Sequence, residues 1–98
     1  MAVLRLDRFT TDPATADEMI TRRNALVVAV RNATPGLLQA RLTRVDDETW
    51  IDMWCWDTRA HAQAAVALAH AGQLPEAGTA FALTTDHTTE FTDVVDER

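Results

Sequence analysis

Apolar and polar residues alternate from Val3 to Thr10, with Leu4 and Leu6 on one side and Val3, Arg5, Asp7 and Phe9 on the other. A period of two predicts a β-strand. Thr11-Asp12-Pro13 turns the chain, because proline suits a turn or a first helical position and not a central strand. From Thr15 to Ala33 the period becomes helical. Met19, Ile20, Leu26, Val27 and Val30 form a broad apolar stripe. Asp17 and Glu18 fall in the first turn and Arg31 near the last, as the helix dipole favours. Thr34-Pro35-Gly36 stops this helix.

A second strand is predicted over Leu37 to Val45, with Leu38, Ala40 and Leu42 set against Gln39, Arg41 and Thr43. Asp46-Asp47-Glu48 is a polar turn of hairpin length. Thr49 to Trp56, rich in aromatic and β-branched residues, is a third strand. Asp57-Thr58 caps an alanine-dense helix over Arg59 to Ala71, which Gly72 ends. Leu74-Pro75-Glu76 opens a second helical piece, roughly Glu76 to Thr85. Weak alternation over Glu90 to Val95 (Phe91, then Val94 and Val95) predicts a fourth strand. The order β-α-β-β-α-β implies a ferredoxin-like α+β fold, a four-stranded antiparallel sheet with helices on one face. The 98 residues suit a single domain, 1–98.

The third strand carries the candidate chemistry. Strand residues alternate between faces, so Trp50, Asp52, Trp54 and Trp56 share one face and Ile51, Met53 and Cys55 the other. One face packs on the helices. The other is apolar and open, which predicts that a second copy covers it in a homodimer. Asp52 sits among tryptophans, where a carboxylate loses hydration unless a cation or a backbone N–H compensates. Such a group serves as a general base, and the aromatic neighbours suit a flat aromatic ligand. The plainer alternative has Asp52 wet at a strand edge and paired with Arg41 or Arg44, and the three tryptophans simply filling the core. Arg5 and Asp7, on the corresponding face of the first strand, are candidates to position polar groups. His61, at the start of the alanine-rich helix, is a candidate to reach the same pocket.

Charge narrows the function classes. The net charge is -6, with five arginines and no acid from Met19 to Val45, and eleven acids against two arginines from Asp46 onward. An acidic chain whose basic residues are spread over a helix and a strand is a poor nucleic-acid ligand, and those arginines read as solvated surface. No apolar run approaches a membrane span. The charged start does not read as a signal peptide, and the single cysteine, Cys55, fits a cytoplasmic protein. Cys55 lies among apolar residues as a small hydrophobe. His61, His70 and His87 are too scattered for a metal site, so no metal is expected. The patterns GxGxxG, Walker A, HExxH and GxSxG are absent.

Pro35-Gly36-Leu37-Leu38 after the first helix and Trp56-Asp57-Thr58-Arg59 leaving the third strand resemble the antibiotic biosynthesis monooxygenase family over nearly the whole chain. The stretch Thr49-Trp50-Ile51-Asp52-Met53-Trp54-Cys55-Trp56 looks like actinobacterial members. The resemblance implies a dimeric α+β barrel with a pocket between sheet and helices in each subunit. Characterised members oxidise anthrone-type polyketides with dioxygen and no cofactor, oxidise quinols, or degrade haem. By that resemblance Trp56 matches a pocket tryptophan of the anthrone-oxidising members. Asp52 stands where they have an asparagine, and Ala62 where they have a tyrosine. Their arginine of the second helical region has no counterpart. The asparagine and tryptophan of the haem-degrading members correspond to Asp7 and Ala65, so haem degradation is not expected.

Two functions follow. One is a cofactor-free oxygenase in which Asp52 deprotonates a flat phenolic substrate held against Trp50, Trp54 and Trp56. The other is a non-catalytic binding or accessory protein on the same scaffold, since fold alone does not fix function.

Overall fold

The computed structural model describes residues Met1–Arg98. Its elements are β1 (Val3–Thr10), a single 3-10 turn (Pro13–Thr15), α1 (Ala16–Ala33), β2 (Leu37–Arg44), β3 (Thr49–Trp56), α2 (Arg59–His70), α3 (Pro75–Phe81) and β4 (Thr85–Asp93). The sheet order is β2-β3-β1-β4, with every neighbouring pair antiparallel. This is the expected ferredoxin-like α+β fold. No helix is long and apolar enough to cross a membrane.

Register aligns the two central strands. Val3 faces Trp56, Arg5 faces Trp54, Asp7 faces Asp52 and Phe9 faces Trp50. These eight residues therefore share the side of the sheet that the helices cover. The main core joins Val3, Trp54 and Trp56 to Leu26, Val27 and Val30 of α1 and to Ala62, Ala65, Leu74, Ala77 and Ala80 around α2 and α3. A smaller cluster at the other end holds Phe9, Met19 and Trp50. Leu4, Leu6, Ile51 and Met53 point to the opposite side, where they are only half-buried, and Cys55 lies buried among them.

Three boundaries differ from the sequence reading. β4 is Thr85–Asp93, not Glu90 to Val95, because it pairs with β1 along most of that strand's length. As a mostly exposed edge strand it carries no apolar alternation to betray its first half. α3 ends at Phe81, not Thr85. There the Thr84 hydroxyl donates to the Phe81 carbonyl at 2.9 Å, and Asp86 adopts a left-handed φ of 55°. Leu38 was expected on the apolar face with Ala40 and Leu42. A register shift between Leu37 and Gln39 instead sets Leu37 opposite Trp56 and leaves Leu38 60% exposed. A bulge of this kind inserts one unpaired residue and swaps the faces beyond it.

Candidate active site

A cleft opens between the sheet and the helices. Its enclosed volume is about 70 Å3, and the space reaches about 720 Å3 when the open solvent at its mouth is included. Its existence follows from side-chain sizes. Trp54 and Trp56 form a broad floor, and the facing helices present Ala62, Ala65 and Ala69 from α2 and Ala77 and Ala80 from α3. Alanine promotes the helix but supplies too few atoms to fill the space above two indoles. Fourteen of the nineteen lining residues are hydrophobic. An apolar cavity with a few convergent polar groups is the usual form of a small-molecule site.

The polar groups sit together on the central strands. Asp52 is 6% exposed and accepts two hydrogen bonds from Arg23 of α1, at 3.0 Å from Nε and 2.8 Å from Nη2. This two-pronged geometry is the strong form of an Arg–carboxylate contact. The Arg23 guanidinium also lies over the Trp54 ring, 5.9 Å from its centroid. Asp7 is 8% exposed and accepts from the Thr89 hydroxyl at 2.5 Å. Arg5 Nε stands 3.2 Å from Asp7 Oδ2, close enough for charge attraction, yet that nitrogen is buried without a hydrogen-bond partner. Asp7 and Asp52 are directly opposite one another. Like charges in that relation repel, and here each has its own arginine beside it.

Asp52 is thus neither wet at a strand edge nor paired with Arg41 or Arg44. Arg41 pairs in register with Met53 and turns away from the cleft, while Arg44 lies over Trp50 at 5.8 Å. Trp54, Trp56, Arg5, Asp7 and Asp52 all line the cleft. Two of the expected residues do not. Trp50 packs against Phe9 and Met19 in the smaller cluster, because it lies at the far end of β3. His61 is drawn aside by Asp57, whose Oδ1 is 2.7 Å from its Nδ1. That hydrogen bond is the main reason the Asp57 carboxyl is held below the usual aspartate value. Cys55 is on the opposite side of the sheet, and burial pushes its thiol's pKa up. No three His, Cys, Asp or Glu side chains gather as a metal site would require.

Sequence reasoning missed Arg23, which it grouped with the surface arginines. The signal was present. Met19, Arg23, Leu26 and Val30 follow one another at helical spacing, so Arg23 occupies the buried stripe of α1. It also missed Phe81, 41% exposed at the cleft's rim, and the role of the alanines as empty space.

No family model matches the chain, and no curated protein matches it significantly. Solved structures do match over nearly the full length. SnoaB, a cofactor-independent oxygenase from Streptomyces nogalater, is 22% identical, with 98% of this chain and 95% of that chain covered and a TM-score of 0.79. Rv0793 from Mycobacterium tuberculosis is 17% identical, covering 99% and 98%, with a TM-score of 0.76. A protein assigned as an antibiotic biosynthesis monooxygenase from Caulobacter crescentus CB15 is 18% identical, covering 97% and 91%, with a TM-score of 0.74. The structural neighbours of this chain include antibiotic biosynthesis monooxygenase proteins, and the fold it shares with them is the ferredoxin-like α+β fold.

Proposed function

We propose that the protein is a cofactor-independent monooxygenase, a cytoplasmic homodimer that oxidises a flat phenolic, anthrone- or quinol-like molecule with dioxygen. One observation carries the reading: a buried carboxylate, Asp52, paired with a guanidinium on the aromatic floor of an otherwise apolar cleft. The likeness in fold to a cofactor-independent oxygenase supports it. The half-buried apolar face of Leu4, Leu6, Ile51 and Met53 supports a second copy behind the sheet.

The chemistry follows from the residues. The substrate lies flat on Trp54 and Trp56, and Asp52 takes a proton from an acidic O–H or an activated methylene. The Arg23 charge stays beside the resulting anion, where water-poor walls strengthen its effect. The anion gives one electron to dioxygen, and the radical and superoxide so formed join in a C–O bond. The peroxide takes up a proton and loses water, so a methylene becomes a carbonyl. One oxygen atom ends in the product and one in water, and no outside reductant enters. Asp7 and Arg5 position the polar end of the substrate.

An oxygen-electrode assay with anthrone and naphthol substrates tests this. Wild type consumes oxygen, and Asp52→Asn lowers the rate by about 10²–10⁴, the usual worth of a general base. Asparagine keeps one acceptor for Arg23 and loses the other, so a wild-type circular-dichroism spectrum of the variant accompanies the assay. An unchanged rate in Asp52→Asn removes Asp52 as the base. A second reading has its own support, since both Asp52 oxygens are already engaged by Arg23. On that reading the cleft stores or presents a ligand without turning it over. Saturable binding with no oxygen uptake for any bound aromatic selects it.

A further inference from the structure

Two arginines, Arg5 and Arg23, line the cleft, a third, Arg59, shares the Phe91 ring with Arg5, and their engagements differ. Arg23 donates twice to Asp52 and, through Nη1, to the Asn24 side chain at 3.1 Å. Arg59 donates to Asp93 at 3.0 Å. Arg5 donates to nothing. Its Nε is buried without a partner, and neither terminal nitrogen makes a hydrogen bond within the protein. Yet its side chain is only 26% exposed and lines an apolar cavity.

A guanidinium nitrogen buried without an acceptor, as Nε is here, is costly. Two features hold it there. Asp7 supplies opposite charge beside Nε, and the Phe91 ring lies 5.9 Å from the guanidinium carbon. The same ring has the Arg59 guanidinium 5.9 Å from its centroid, so Phe91 cannot turn away without disturbing both. Asp7 is in turn held by Thr89. Arg5 is therefore braced at its Nε end, and the edge carrying Nη1 and Nη2 has no protein partner. Two parallel N–H donors on one planar edge match the two oxygens of a carboxylate better than a single hydroxyl.

We infer that Arg5 is the specificity-determining residue of the cleft and selects a flat aromatic ligand that carries a carboxylate. The inference rests on the proposed reading of the cleft as a ligand site, and it names the chemical class that site takes. The aromatic body lies on Trp54 and Trp56, and the carboxylate closes the open edge of Arg5. Arg23, committed to Asp52, remains next to the reacting end of the ligand.

Tryptophan fluorescence tests this directly, since two of the three tryptophans line the cleft and the chain has no tyrosine. Naphthoate and its neutral counterpart naphthylmethanol are titrated into wild type and Arg5→Gln. Wild type should bind naphthoate about tenfold or more tightly than naphthylmethanol, as expected for a charge-assisted hydrogen-bonded pair. In Arg5→Gln that preference should vanish, with naphthoate falling to the affinity of naphthylmethanol, and a wild-type circular-dichroism spectrum reports that the variant is folded. Equal affinities in wild type overturn the inference, and so does a preference that survives in Arg5→Gln. Should Arg5→Gln not fold, Arg5→Lys keeps the charge and loses the fork. A preference as large as wild type's in that variant also overturns the inference. If naphthylmethanol binds without a carboxylate preference, the cleft remains a ligand site and only the role of Arg5 falls. If neither compound binds, both readings fall together.

Discussion

Arg23 and Asp52 have side chains 13% and 8% exposed, so the two charges meet in a poorly hydrated place. Removing one partner of such a pair strands the other charge, at a cost of about 3–5 kcal/mol. Arg23→Met should lose stability on that scale in urea unfolding. Adding Asp52→Leu to it should recover much of the loss, because two apolar groups no longer leave a charge unpaired. A double variant no more stable than Arg23→Met would mean that the pair is not coupled. This pairing was half legible in the sequence. Asp52 stood out as an acid between Trp50 and Trp54, and the rule that such a group needs a cation was sound. The identity of the cation depended on how α1 rotates over the sheet, which strand periodicity does not encode. Adjacent strands were the natural place to look, but Arg41 faces the wrong side and Arg44 lies against Trp50.

Among the elements, the junction between β2 and α2 is the most constrained. Gly36 has φ +101°, and a Cβ there would lie 2.5 Å from Asp57 Oδ1 and 2.6 Å from His61 Nδ1. The Asp57–His61 hydrogen bond and the path of the chain into β2 therefore compete for one small volume. Gly36→Ala should cost about 1–3 kcal/mol from the backbone conformation alone, and more if the Asp57–His61 contact breaks. Thermal unfolding of Gly36→Ala, with His61 titrated by NMR, checks both parts. An unaltered melting temperature would show that the loop relaxes freely. The sequence marked Pro35-Gly36 as a helix stop and Asp57-Thr58 as a cap, but not that the two meet. The same limit applies to β4, where Thr85 to Thr89 is polar on both faces and only pairing with β1 reveals it as strand. Elements with a buried or alternating face were readable from their period, and the first half of β4 and the junctions were not.

For the molecule as a whole, the two faces of the sheet are treated differently. One is covered by three helices, while on the other Leu4, Leu6, Ile51 and Met53 stay half-buried around Cys55. The homodimer proposed above would cover that second face. Met53→Asp should convert a dimer to a monomer in sedimentation. A wild-type monomer at high concentration would rule the arrangement out. The cleft has a separate property at this scale. Its floor is set by strand register and its ceiling by missing methyl and methylene groups on α2 and α3. Shape and capacity are thus carried by different residues. The ceiling positions act as spacers, and a larger side chain at one of them shortens the room above Trp54 and Trp56. A lineage or a designer could retune the size of the guest through Ala65, Ala69 or Ala77 and leave the chemistry beneath untouched.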